Sequence, residues 1–267
     1  MVSFTGHVLP VLATIAVWFF ATGLIAWAAN GPREGFARSL MLAGLVGMGG
    51  LAMVIVSQGM TGSGGAFLGF AGALAIWGWH ELAFLTGGVT GARREPCPEG
   101  AHGIARFRFA SAAVMHHEVA LAATAAMLLA LAWGQANPLG AQVFALLFGL
   151  RLLSKLNLFL GVPNASTDIL PRHLAYMTSY FGPNRFTALL GLSIAGTVAL
   201  AAWLGVEAAM AAPGGPAVAA TLLFALAALG ALEHLFFALP LRDGALWGWA
   251  LPARDKRGAN ALRGLQQ

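Results

Sequence analysis

The chain has 267 residues, 58% of them apolar and 9% charged, with 15 Lys and Arg against 10 Asp and Glu and a mean hydropathy of +0.75. These values exclude a soluble globular domain, in which about 25% of residues are charged, and they read as an all-α integral membrane protein. The net charge of +5 is no sign of nucleic-acid binding, because the bases lie in loops and at helix ends instead of along one face. The single Cys97 excludes an intramolecular disulfide. Between Pro96 and Pro98 it reads as a reduced, inert loop thiol.

Residues 8–29 form an uncharged apolar run of the roughly 20 residues that a spanning helix needs. No basic stretch precedes it and no small-residue cleavage site follows, so it reads as an uncleaved first helix. A second helix is expected over residues 39–58, where Gly44, Gly47, Gly49 and Gly50 allow close approach of a neighbour. After a Gly-rich turn, a third over 66–86 carries Trp77, Trp79, His80 and Glu81. The polar stretch from Thr90 to Arg108 separates it from a fourth over 109–133, and a fifth over 139–160 contains Arg151, Lys155 and Asn157. Residues 161–185 are too polar and Pro-broken to span, although 169–181 suits a short amphipathic helix on the surface. A sixth helix covers 186–206 and a seventh 217–239, and the basic tail from Arg242 is expected to fray. No internal repeat or separable soluble domain is evident, so the fold class is a single seven-transmembrane-helix bundle.

All fifteen Lys and Arg residues fall after the first, third and fifth helices, in the adjoining helix halves, or in the tail. By the positive-inside rule these segments are cytoplasmic, which places the N-terminus in the periplasm and the C-terminus in the cytoplasm. Topology then turns sequence positions into depths. His80 and Glu81, His116, His117 and Glu118, Arg151 and Lys155, and Glu233 and His234 all come within roughly 7–15 Å of one membrane face. Ionisable groups at such depth are costly and are normally paired, turned inward and functional.

The chemistry of this polar slab reads in three ways. His80, Glu81, His117, Glu118, Glu233 and His234 are ligand types for iron or another divalent metal inside a helical bundle. Neighbouring residues on a helix differ by about 100° in direction, so His116 and Glu118 cannot both point at one centre, and His117 is the favoured inward residue. Alternatively Glu81, Glu118 and Glu233 pair with Arg151 and Lys155 as a structural polar core. In the third reading one or more histidines ligate the central metal of a tetrapyrrole between Trp77, Trp79, Phe84 and Phe159. Arg151, Lys155, Ser154 and Asn157 are placed to bind an anionic group, with snorkelling or ion pairing the plainer account of Lys155.

Several blocks carry a resemblance. Trp77-Gly78-Trp79-His80-Glu81, the segment from Ser154 to Asn164 (SKLNLFLGVPN), Leu170-Pro171-Arg172-His173-Leu174, Ser179-Tyr180-Phe181, Glu233-His234-Leu235-Phe236 and the segment from Leu239 to Trp247 (LPLRDGALW) together resemble the photosynthetic complex assembly family of purple bacteria known as PuhE. The match extends over nearly the whole chain. It implies a seven-helix protein of the bacterial inner, intracytoplasmic membrane, associated with the gene neighbourhood of the reaction-centre H subunit. It further implies a factor that assists assembly of the reaction centre and core antenna or modulates bacteriochlorophyll supply, with the His-Glu, His-His-Glu and Glu-His blocks as its recurring polar positions.

Two functions follow as expectations. The first is an assembly factor that holds bacteriochlorophyll or a precursor, or engages reaction-centre and core-antenna subunits or other assembly factors. The site would draw on His80, Glu81, His116, His117, Glu118, Arg151, Lys155, Asn157, Glu233 and His234. Pro163, Asn164, Pro171, His173 and Tyr180 in the long loop are candidates for a docking surface, and singly for turns, caps or interfacial anchors. The second is a membrane metal enzyme, with a di-iron site among the options, acting on a lipid-soluble pigment intermediate.

Overall fold

A computed structural model describes residues 2–240 and 243–251. Arg242 and the basic tail beyond residue 251 lie outside the described residues. Among the described residues seven helices are long and apolar enough to cross a membrane: α1 (Leu9–Ala29, led by one π-helical turn, Phe4–Val8), α2 (Phe36–Ser57), α3 (Ser63–Leu85), α4 (Gly103–Leu131), α5 (Leu139–Leu160), α6 (Ala188–Met210) and α7 (Gly215–Ala238). Their outer faces stay apolar, with Phe20, Leu45, Met48 and Leu192 among the exposed side chains. Such a girdle is stable only against lipid.

The termini are set locally. Ser3 Oγ accepts from the Gly6 N–H, and Thr187 Oγ1 caps α6 by accepting from Leu190, which satisfies donors that a helix start leaves open. Gly161 ends α5 at φ 115°, a conformation an L side chain rarely adopts. Helix α4 begins at Gly103, six residues before the apolar run. Arg106 and Arg108 therefore lie in its first turns and not in a loop. At 29 residues it is about 43 Å long, more than a bilayer core requires.

Helices α3 and α7 are the most buried and pack on each other; α2 lies along α3, α6 along α7, α1 and α5 each against both α3 and α7, and α4 against α5 and, more lightly, α3. One end of the bundle is tight. A Cβ on Gly50 would stand 2.6 Å from the Gly72 carbonyl oxygen, and one on Gly215 would stand 1.9 Å from that of Thr61. Asn137 Nδ2 donates to the Ser57 and Met60 carbonyls at 3.0 and 3.2 Å. Of the four α2 glycines, Gly44, Gly47 and Gly50 meet α3, whereas Gly49 faces open space.

The opposite end gathers the connections rich in arginine, and here the helices separate. Residues 161–187 cross this basic end. The segment expected as an amphipathic helix is a 3-10 helix, Arg172–Tyr180, whose buried residues are Leu174, Met177 and Tyr180. A spacing of three places all of them on one face of a three-residue turn, and that face lies toward the bundle. Its role as an exposed docking surface is therefore corrected at Tyr180, which is 5% exposed.

Candidate functional site

Below this roof, α1, α3, α4, α5 and α7 enclose a cavity of about 650 Å³. The four polar helices expected to share a slab are neighbours. On α5 the lining runs from Leu147 to Phe159, a span of about 18 Å along the helix axis. Apolar side chains form most of the wall, including Trp77, Phe84 and Phe159. Its polar part includes Glu81, Glu118, Arg151, Lys155 and Glu233, with Ser111, Ser154 and Thr22.

Two ion pairs cross the site. The Arg151 guanidinium lies 3.2 Å from Glu81 Oε2, and the Lys155 ammonium donates to the Glu118 carboxylate. Arg151 and Lys155 are four residues apart and therefore share one face of α5, which lets a single helix meet a carboxylate from α3 and another from α4. Each charge thus has its counter-charge, which membrane depth requires. Glu233 accepts from Trp18 Nε1 at 3.3 Å, bringing α1 into the site. With no charge on α1, only this tryptophan, easily read as an interfacial anchor, signalled its participation.

The histidines lie behind the wall. His117 is fully buried, 4.0 Å from Glu81 Oε1 through Nε2 and stacked near Phe84; neither ring nitrogen makes a hydrogen bond. Its backbone N–H donates to the Thr90 carbonyl, because the loop after α3 presses into α4 at Gly91. His80 pairs with Thr124 Oγ1 at 3.0 Å. His234 Nδ1 donates to the Gly230 carbonyl at 2.8 Å, one turn back on its own helix. His116 is exposed, as the turn of about 100° per residue away from His117 requires. Asn157 faces α6, donating to Ser193 Oγ at 2.8 Å, so the structure corrects its place beside Arg151 and Lys155.

These placements do not fit a metal centre. Among the described residues no group of three or more His, Cys, Asp or Glu side chains is arranged to hold a metal ion. Glu81 and Glu118 are committed to cations, and His80 and His234 are hydrogen-bonded elsewhere. Among the described residues no histidine lines the cavity, so the wall offers no imidazole to a tetrapyrrole metal. What the cavity offers is an apolar slot crossed by a polar band of two ion pairs and the Glu233 carboxylate.

The roof was missed as a site element because its anchors read as topology signals. Arg106 donates to the carbonyls of Phe159 and Tyr180 at 2.9 and 2.7 Å, with its guanidinium 4.3 Å from the Phe159 ring. Arg93 Nε donates to the Tyr180 hydroxyl, which in turn donates to the Glu95 carbonyl, both at 2.8 Å. The Cys97 backbone N–H is held by Ser179 Oγ at 2.8 Å. His173 packs near Phe36. Burial pushes its imidazole below its ordinary value, a shift opposed by the Leu85 carbonyl, reinforced by Arg33 and opposed again by the Thr86 carbonyl.

Fold and site together define a multi-pass helical membrane protein with an internal, roofed cavity between its helices. The chain belongs to the family described as "Protein of unknown function (DUF3623)", whose model matches residues 4–258. It is 38% identical over 250 residues, 92% of this chain and 91% of the relative, to a Rhodobacter capsulatus protein described as an uncharacterized 30.4 kDa protein in the puhA 5' region. No solved structure matches.

Proposed function

We propose that this protein is an inner-membrane factor for assembly of the photosynthetic reaction centre and core antenna, holding a lipid-soluble component in the cavity beneath its roof. The observation that carries this reading is the cavity itself: about 650 Å³, largely apolar, and within the size range of small-molecule sites. The resemblance to the PuhE family and the relative's placement in the puhA 5' region supply the setting. Bacteriochlorophyll or a precursor is the component that setting suggests, held by wall shape and not by histidine ligation. The basic end is cytoplasmic in this reading, which puts the roof where a subunit under assembly is reached.

The test is affinity purification of the tagged protein from phototrophically grown cells in mild detergent, followed by pigment extraction and identification of the co-purifying proteins. The expected result is a tetrapyrrole, a reaction-centre or core-antenna subunit, or an assembly factor at stoichiometric level. Recovery of the protein with none of these overturns the proposal.

A further inference from the structure

The polar band of the cavity holds two ion pairs and a third carboxylate, Glu233, and that limits what it accepts. Arg151 and Lys155 are each compensated by a carboxylate, Glu81 and Glu118. An anionic ligand would have to displace a carboxylate from its cation and leave that carboxylate unpaired at membrane depth. A cationic ligand at Glu81 or Glu118 would do the same to Arg151 or Lys155, and at Glu233 it would compete with the Trp18 indole N–H. A neutral group avoids both costs.

The orientation of the pairs selects among neutral groups. Both members of the Arg151–Glu81 pair line the cavity, and the Arg151 side chain is the more exposed, 33% against 12%. The hydroxyls of Ser111 and Ser154 line the same wall. Donors facing the space match an oxygen acceptor on the ligand. Along the slot of about 18 Å, Trp77, Phe84 and Phe159 offer flat faces that suit a planar ring, while the remaining length suits a chain.

We infer that the cavity binds an uncharged, lipid-soluble molecule with a planar conjugated ring that bears a carbonyl oxygen, its oxygen meeting the Arg151 guanidinium. Quinones and esterified tetrapyrroles share this chemistry. The inference rests on the cavity reading above and adds the charge and shape of the occupant. Trp18, Trp77 and Trp247 line the space, so an absorbing ligand is read by quenching of their fluorescence.

The experiment titrates the purified full-length protein in nanodiscs with decylubiquinone, methyl pheophorbide and the free acid pheophorbide. At least one neutral probe is expected to quench saturably, binding at least 10-fold more tightly than the acid; which one does so distinguishes the two sources. The paired substitution Arg151→Leu with Glu81→Leu preserves charge balance and is expected to weaken that probe at least 10-fold. Trp203→Phe, on the exposed outer face of α6, is expected to leave binding unchanged. Absence of saturable quenching by either neutral probe, equal or tighter binding of the acid, or unchanged binding in the paired variant would each overturn the inference. These outcomes are independent of co-purification, so the assembly role can stand where this inference fails.

Discussion

Lys155 on α5 reaches Glu118 on α4, and this pair ties two helices of the cavity wall together. Removing one member leaves the other charged inside the membrane. Glu118→Ala is therefore expected to destabilise the protein by about 3–5 kcal/mol, read by denaturant titration in detergent. The paired change Glu118→Leu with Lys155→Leu is expected to recover most of that loss, because it leaves no orphaned charge.

The roof depends on Arg106, which holds carbonyls from α5 and from the 3-10 helix at once. Hydrogen bonds to a charged donor are worth about 1.5–3 kcal/mol. Arg106→Ala should cost about that much locally while leaving the tight end intact. Hydrogen exchange then speeds up across 172–182 and stays slow in 63–73.

Gly91 is pressed against α4, and a Cβ there would stand 2.1 Å from the Ala112 carbonyl oxygen. Backbone cannot yield as a flexible side chain does, so Gly91→Ala is expected to cost about 1–3 kcal/mol and to break the Thr90 carbonyl's bond to the His117 N–H. Faster exchange of the His117 amide reports that break.

His173 makes roof packing sensitive to acid. Its pKa is depressed in the folded protein, so the unfolded segment binds a proton that the folded one does not. Stability is full above the unfolded value of about 6.5 and is lost as pH falls below it. Limited proteolysis within 161–187 should accelerate between pH 7.5 and 5.5, and His173→Gln should flatten that dependence.

The seven apolar spans were legible because each is a run of roughly 20 residues with at most a few charges. Pairing of Arg151 and Lys155 was one of the readings open in the sequence, since buried charges demand partners. The start of α4 was not legible, because hydropathy marks where lipid begins and a helix can continue into water. Asn157 was misplaced because periodicity gives a residue's angle on its own helix but not which neighbour stands at that angle. Trp18, Arg106 and Tyr180 escaped for a related reason. Their roles come from chain segments distant in sequence, 215 residues apart for Trp18 and Glu233.

The Gly50–Gly72 and Gly215–Thr61 contacts fasten one end of the bundle through backbone, while the roof at the other is held by arginine hydrogen bonds together with the buried side chains of Leu174, Met177 and Tyr180. The molecule is thus built like a clothes peg: its spring end is backbone against backbone and cannot slide, while its jaws meet largely through side chains that can repack. A bulkier guest is then accommodated by repacking at the roof or at Met115, Val119 and Leu152, which line the cavity and are exposed on the outer face, and the glycine contacts stay untouched.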